Sequence, residues 1–427
     1  MRHHDITKLI QIKDPQLQID AIEQEGNHVT IFVSRERQAH ACPQCQTKTT
    51  RVHDYRTRTI KHAALNGVET RLKYRRRRYV CPTCHTRFPE TNTMVLPYEK
   101  ISLFSKHMIL HEYRNTQAFG DIAKRLHISA STVIRHTNKH INPRRLKLPE
   151  VLAIDEFKNL RSGTGKYACV LADPINKKTI DVLPDRRYHH LIQYFSRIPL
   201  EERNQVKIVT SDLWESYRKL VKRAFPNAVL VADTFHFLRH LLWGFNDVRI
   251  RVMNAQPKDT YEYYLLKKHW KILTKYYGDL SYKHFYDHRL RYHITPQEIR
   301  FKAEAIHPDL KTALDIKDAF YEALRGMDEH EARDFLPDYI RRLKKTKIKE
   351  LRTFSRTLEN WFDEIVHSFR CVDRETGEIL RPHYSNAIIE GMNNKIKVIK
   401  RVSYGYRNFE NFRRRIMTSF NDLMIQS

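Results

Sequence analysis

Glycine is scarce in this chain, 11 residues in 427, and no segment is of low complexity. Little of it therefore reads as flexible linker. No apolar run approaches the ~20 residues of a membrane-spanning helix, which argues against a membrane partner. The opening MRHHDITKLIQIKDPQ has no apolar leader core, so a cytoplasmic location is expected. Cysteine is also sparse, with six residues, too few for a disulfide scaffold of this length. Acid is short against base: 49 Asp and Glu face 77 Lys and Arg, a net charge of +28. The excess is spread along the chain rather than held in one tail. A large polyanion is the expected partner, and nucleic acid is the first candidate. The length allows roughly two to four domains.

Four of the six cysteines form two Cys-x-x-Cys pairs, Cys42 with Cys45 and Cys81 with Cys84. Each pair makes a tight knuckle aiming two thiolates at one point, and two knuckles complete a closed tetrahedral zinc site. With no open position, that zinc is structural. The gap between the pairs exceeds the common ~15–20 residues. It holds a hairpin pattern around Asn66-Gly67, and another hairpin is expected over 16–36 around Gly26-Asn27. Strands carrying the knuckles give a zinc-ribbon-like module. Beside it, RLKYRRRRYV (71–80) sets Arg75, Arg76, Arg77 and Arg78 between tyrosines, a run expected to contact phosphates.

Residues 101–143 read as a helix-turn-helix. A first helix covers 103–113, and FGDIAKRLHISASTVIRHTNKHI (119–141) supplies the other two. Small Ala123 sits where helices cross, and Ser129 caps the last helix. Ser131, Thr132, Arg135, His136 and Lys139 are expected to face the major groove. His127 stands at a turn position where glycine is usual.

From Val151 the pattern changes to strands: VLAIDEF (151–157), KYACVLAD (166–173), KTIDVLP (178–184), VKIVTSD (206–212) and AVLVAD (228–233), with helices between the later ones. Three strands, helix, strand, helix, strand is a ribonuclease-H-like order, an α/β mixed sheet with helices on both faces. Asp155 ends the first strand and Asp212 the fourth. Residues 255–365 carry helical periodicity and are expected to form an all-helical insertion. In YSNAIIEGMNNKIKVIKR (384–401), helical spacing puts Glu390, Asn393, Asn394, Lys397 and Arg401 on one stripe, with Ile388, Ile389, Met392, Ile396 and Ile399 opposite. Ser385 or Asn386 can cap this helix. Gly391 costs about 1 kcal/mol there relative to alanine, so a close approach is expected. A final amphipathic helix, with Phe409, Phe412, Ile416 and Phe420, is expected to pack on the core.

Asp155, Asp212 and Glu390 together make a carboxylate set suited to hard divalent cations. Two such ions, ~4 Å apart, can activate a water or 3′-hydroxyl and stabilise the leaving oxygen of a phosphodiester. The zinc module, helix-turn-helix, strand-end aspartates, helical insertion and SNAIIEGMNNKIKVIKR resemble the bacterial insertion-sequence DDE transposases of the ISL-three group. The resemblance implies that Asp155, Asp212 and Glu390 bind Mg2+ or Mn2+. It implies that Lys397 contacts transposon-end phosphates, and that Asp233 and His236 match a D-x-x-H signature that orients neighbouring groups. Asn386 stands where some relatives carry arginine, so that wider motif is not carried over. The implied activity is cleavage at terminal inverted repeats and joining of the 3′-hydroxyls to target DNA, by at least a dimer on the bacterial nucleoid. The implied domains are 1–95 (hairpin and zinc), 101–145 (helix-turn-helix), 150–254 and 366–427 (catalytic, two parts) and 255–365 (insertion). Two rivals are a DNA-binding regulator with an inactive catalytic domain, and a nuclease that cuts without joining.

Overall fold

The computed structural model describes residues 10–65, 67–161, 163–376, 378–382 and 387–421. The expected cap at Ser385 or Asn386, and Asn66 of the second hairpin turn, lie outside the described residues. Two compact units divide the chain. One gathers residues 1–144, 160–162 and 395–427; the other holds 145–159 and 163–394.

In the first unit, β1 (Leu17–Glu25) and β2 (His28–Arg35) form a hairpin. Its turn uses Gly26 at φ 55, a left-handed value that glycine adopts at no steric cost. Short β3 (His40–Ala41) and β4 (Lys48–Thr49) flank the first cysteine knuckle. The long β5 (Val52–Leu65) and β6 (Val68–Val80) form a second hairpin, and β7 (Arg87–Pro89) pairs with β6. The sheet order is β1-β2-β6-β5, with β2 and β6 parallel. Along β6 the period of two is visible: Leu72 and Tyr74 are buried, while Arg71, Lys73 and Arg75 are exposed.

Three helices follow: α1 (Leu103–Tyr113), α2 (Phe119–Arg125) and α3 (Ala130–His140). Ser102 caps α1 by accepting from Ser105 N, and Ser129 caps α3 by accepting from Thr132 N. Ile109, Tyr113, Ile122, Ala123, Leu126 and Val133 form their core. His127 makes the turn between α2 and α3 at φ 50, the left-handed conformation for which glycine is the usual residue.

The second unit is built on β8 (Val151–Lys158), β9 (Tyr167–Asp173) and β10 (Lys178–Leu183), consecutive antiparallel strands. Helices α4 (Tyr188–Ser196) and α5 (Leu200–Asn204) lead to β11 (Ile208–Ser211), which pairs parallel with β8. Then α6 (Glu215–Ala224) leads to β12 (Val229–Ala232), parallel to β11. The order is β10-β9-β8-β11-β12. Buried Leu152, Ile154, Leu171 and Val209 pack with Leu191, Phe195, Tyr217 and Leu220 from α4 and α6.

Helix α7 (Thr234–Asn254) leaves the end of β12 and opens a helical bundle. The bundle continues with α8 (Tyr261–Lys268), α9 (Trp270–Thr274), α10 (Pro296–Ile306), α11 (Pro308–Gly326), α12 (Glu329–Lys345), α13 (Lys349–Asn360) and α14 (Phe362–Val366). Its core includes Phe237, Leu241 and Phe245 of α7 beside Phe320 and Phe354, so the bundle begins at Thr234 rather than at 255. Nor is the insertion all helical. Strands β13 (Phe285–Asp287) and β14 (Tyr292–Ile294) form a hairpin inside it. Asp287 nucleates this turn: its Oδ1 accepts from the backbone N–H groups of Arg289 and Leu290, and its Oδ2 lies 2.8 Å from His269 Nε2. Helical periodicity on either side hides so short an interruption. A further hairpin, β15 (Cys371–Val372) with β16 (Ile379–Arg381), precedes α15 (Ala387–Val402). Ile389, Met392, Ile396 and Ile399 of α15 are buried. At Gly391 a Cβ would meet nothing within 4 Å among the described residues, so the expected close approach is not seen there.

The last helix, α16 (Phe409–Phe420), packs against the end of α1. Fully buried Arg415 donates from Nη1 to the carbonyls of Tyr113 (2.6 Å) and Asn115 (2.9 Å) and stacks over the Tyr113 ring at 3.8 Å. The phenylalanine periodicity identifies a buried face but not its partner; the arginine sets the partner, because a buried cation needs acceptors. No helix among the described residues is long and apolar enough to cross a membrane.

Candidate functional site

The register of three parallel strands places three aspartates side by side. Ala153 of β8 pairs with Thr210 of β11, and Thr210 pairs with Val231 of β12. Two residues beyond these positions stand Asp155, still within β8, and Asp212 and Asp233, each the first residue after β11 and β12. The charge of Asp212 acts on the Asp155 carboxyl, and His236 links Asp212 to Asp233.

Asp233 also caps α7, its Oδ1 accepting from Phe235 N at 3.2 Å. That capping fixes the first turn of α7 and swings His236 back, with its Nε2 2.8 Å from Asp212 Oδ1 and 3.6 Å from Asp233 Oδ2. The ligand atoms of Asp212, Asp233 and His236 all lie within 4.8 Å of one another. Burial disfavours charge on His236, but the hydrogen bond and charge of Asp212 and the charge of Asp233 outweigh it and raise its pKa.

Asp155 is held from two sides. Glu156 N donates to its Oδ1, and Asn393 Nδ2 of α15 donates to its Oδ2, each at 2.6 Å. Burial, and then the charge of Asp212, push the Asp155 carboxyl up to about 7. Two carboxylates crowded at a sheet edge, one of them holding its proton this tightly, form a donor set that a divalent cation suits. Glu390 lies one turn before Asn393 and is solvent-exposed. Helical spacing puts Asn393 on the polar stripe, yet it is buried, and its amide donates to Asp155; the one sequence signal for this is its i+3 spacing from Glu390.

Glu156 points the other way along β8. It forms an ion pair with Arg186 and accepts from the Tyr217 hydroxyl at 3.3 Å. Without bound metal, the folded protein binds the Asp155 proton far more tightly than the unfolded chain does. Stability is therefore expected to fall as pH rises from about 4 to about 7 and to level off above. Asp155→Asn is expected to stabilise the metal-free protein at alkaline pH by up to ~4 kcal/mol and to flatten that dependence. Chemical denaturation across pH in the presence of chelator checks this, and an unchanged pH profile in the variant contradicts it.

The second site lies in the first unit. Cys42, Cys45, Cys81 and Cys84 bring their sulfurs within 4.8 Å of one another. Sγ–Sγ distances of 3.4 Å (Cys45–Cys81, Cys45–Cys84) and 3.5 Å (Cys42–Cys84) approach the ~3.8 Å edge of a tetrahedron with Zn–S bonds of ~2.3 Å. The two knuckles repeat one geometry. Gln46 N donates to Cys42 O and His85 N to Cys81 O, and both residues take left-handed φ, 60 and 57. Cys42 N and Cys81 N donate to the carbonyls of Thr47 and Thr86, whose hydroxyls sit beside Cys45 and Cys84. The Thr47 hydroxyl and backbone pull the Cys45 thiol down to about 6, toward the thiolate a metal takes.

The arginine run of β6 makes contacts within its own unit. Arg76 donates to Glu90 O, Arg77 to Arg35 O and Glu90, and Arg78 to Asp54. Arg75 is exposed and stacks on Tyr55 at 4.2 Å. On α3, Ser131, Arg135 and Lys139 are exposed and Thr132 is half-buried. His136 turns inward, its ring 4.4 Å from that of His140; burial, with the charges of His140 and Lys106, holds it down at about 4. A cleft of about 600 Å³ runs beside this helix, lined by Lys61, Lys100, Lys106, Thr132, Arg135 and Lys139 among others. Lys397 and Arg401 are exposed on α15.

Residues 152–416 match a family model described as transposase, of the ISL-three group, and residues 38–84 match one described as zinc-finger of transposase IS204/IS1001/IS1096/IS1165. The chain is 24% identical over 412 residues, 93% of each protein, to the transposase for insertion sequence element IS1001 of Bordetella parapertussis. A shorter match, 31% identical over 161 residues, covers 35% of this chain and 48% of a protein named ATP-dependent protease from Lactococcus lactis subsp. lactis.

Proposed function

We propose that this chain, which belongs to the ISL-three family of transposases, cuts DNA at the ends of its insertion sequence and joins the freed 3′-hydroxyls to target DNA. The observation that carries the reading is the meeting of Asp155 on β8 with Asp212 just beyond β11, with His236 of α7 linking Asp212 to Asp233. Asp155, Asp212 and Glu390 are the proposed ligands of Mg2+ or Mn2+. Such ions, when bound, supply charge stabilisation at the reacting phosphate and lower the pKa of the attacking hydroxyl. The protein's own part is positioning. Asn393 aims Asp155, and His236, held by Asp233 at the head of α7, aims Asp212.

The strand order β10-β9-β8-β11-β12 supports a ribonuclease-H-like catalytic domain interrupted by the α7–α14 bundle. The left-handed turn at His127 and the Ser129 cap support a helix-turn-helix over 101–145. Together with the zinc module of 1–95, it is proposed to bind the terminal inverted repeats. Arg75, Ser131, Thr132, Arg135, Lys139, Lys397 and Arg401 are the proposed DNA contacts. Arg76, Arg77, Arg78 and His136 are left with the scaffold, because their side chains are engaged or turned inward. A homodimer is proposed in the active complex, since both ends are processed together. The test is incubation of full-length protein and Mg2+ with labelled DNA carrying the element's own ends. Cut and joined products are expected. Cutting without joining indicates a nuclease, and binding alone indicates a regulator.

Recognition divides between two exposed side chains. Arg135→Ala is expected to cost ~1–3 kcal/mol at the cognate end and to relax discrimination, as loss of a base-edge contact does. Lys139→Ala is expected to weaken all sequences alike and to lower the salt slope, as loss of a phosphate contact does. Competition binding against scrambled ends, repeated across salt, separates them. Undiminished discrimination by Arg135→Ala removes that residue from base reading.

A further inference from the structure

Helix α7 does more than present His236. Its buried side is fixed by close packing: a Cβ on Gly244 would stand 2.7 Å from the Glu350 carbonyl at the start of α13. That contact sets the rotation of α7 and turns Phe235, Arg239 and Trp243 outward, at i, i+4 and i+8 on one face. Phe235 and Trp243 are 57% and 56% exposed. The Arg239 guanidinium lies between them, 5.7 Å from the Phe235 ring and 5.0 Å from the Trp243 ring. His240 stacks on Trp243 with ring centres 5.4 Å apart and planes 16° apart, and its Nδ1 is 3.2 Å from Thr357 Oγ1. The indole is thus braced rather than free. Single exposed aromatics are ordinary, but a braced ladder of two with a cation between them is not.

The ladder continues into the carboxylate site. Arg239 Nη2 lies 3.0 Å from His236 Nδ1, and the other nitrogen of that ring faces Asp212. From His236 to Trp243 the helix rises ~10 Å, about the length of three stacked nucleotides at ~3.4 Å each. Flat apolar faces interleaved with a guanidinium suit nucleobases, whose π-faces stack on both, whereas a paired duplex hides those faces.

We infer that Phe235, Arg239 and Trp243 form a stacking platform for unpaired bases of the DNA strand being processed, within a few nucleotides of the scissile phosphate. The inference rests on the carboxylate row being the cleavage centre. It assigns α7 the task of holding the strand opened, so that the phosphate reaches Asp155 and Asp212 in one orientation.

The test uses full-length protein with two probes, single-stranded oligothymidylate and a paired duplex of equal length, followed by intrinsic tryptophan fluorescence and anisotropy. Single strands are expected to quench wild-type fluorescence. Trp243→Ala is expected to lose part of that quenching and to bind the single strand roughly ten- to a hundredfold more weakly, with duplex affinity and salt slope unchanged. Trp243→Phe, which keeps a flat ring, is expected to recover most of the affinity. On end-bearing duplexes Trp243→Ala is expected to cut slowly, and to recover when bases beside the cleavage position are left mismatched. Wild-type single-strand affinity in Trp243→Ala, or an equal loss on duplex, overturns the platform. Asp212→Asn separates the two readings: it is expected to bind oligothymidylate normally while failing to cut. Normal cutting by Asp212→Asn removes the catalytic reading on which the platform's task rests.

Discussion

Glu390→Gln protein is expected to bind DNA ends as the wild type does and to cut them at least roughly a thousandfold more slowly, since a metal's charge stabilisation supplies several kcal/mol and each ~1.36 kcal/mol is tenfold in rate. The substitution keeps the side chain's shape and its helix propensity. Glu390 is exposed, so no packing is lost, and α15 stays anchored by Ile389, Met392, Ile396 and Ile399. What disappears is one negative charge, a helical turn from the Asn393 amide that holds Asp155. The damage is therefore expected to fall on the proposed metal-dependent step. Asp155→Asn and Asp212→Asn are expected to behave alike. Glu156→Gln is the control. Its carboxylate pairs with Arg186 and Tyr217, so it is expected to lower stability by ~1–3 kcal/mol while leaving cutting nearly intact. The measurement is single-turnover cleavage of end-bearing DNA beside binding to the same fragment. Near-normal cutting by Glu390→Gln shows that the third carboxylate has been misassigned.

What the sequence discloses and what it hides divide along one physical line. The carboxylates of the sheet are legible because apolar runs mark the strands, and Asp155 and Asp212 follow such runs directly, although β8 continues three residues past Asp155. Knuckle cysteines are legible because Cys-x-x-Cys can close in few ways. The fate of long polar side chains is not legible. Arg76 and Arg77 reach Glu90, 14 and 13 residues on, through a strand pairing that spacing alone does not specify. Asn393 reaches Asp155 across 238 residues. Arg415 carries the last helix to the end of α1 by the same kind of contact, which periodicity cannot anticipate. Helical spacing located the face of α15 but read Asn393 as solvated. A buried amide and an exposed one have the same periodicity and differ only in what the fold brings to them.

Cys81→Ser is expected to cost the protein its zinc, and with it the ordered ribbon. Sulfur-ligated structural zinc contributes an apparent ~10–16 kcal/mol in small modules, comparable to a typical domain's whole stability. The little sheet around the knuckles offers few substitutes: its apolar cluster is Cys42, Tyr79, Cys81 and Phe88, with half of its members ligands. The loss is expected to spread unevenly. Strand β6 runs into Cys81 through Arg76, Arg77 and Arg78, whose partners are Glu90, Arg35 and Asp54, so the knuckle end of the β5–β6 hairpin is expected to fray first. Further along, Ile60, Leu72 and Tyr74 share a core with β1 and β2 that holds no cysteine, and that part is expected to persist. The unit of residues 145–159 and 163–394 has its own cores and is expected to stay folded. Binding of DNA ends is then expected to weaken while protease resistance of the second unit is retained. Zinc content of freshly reduced protein, limited proteolysis and end binding check the three parts. A full complement of zinc in Cys81→Ser, or reduced wild-type protein with none, contradicts the four-sulfur site, because neither is compatible with a tetrahedron that needs both knuckles to close.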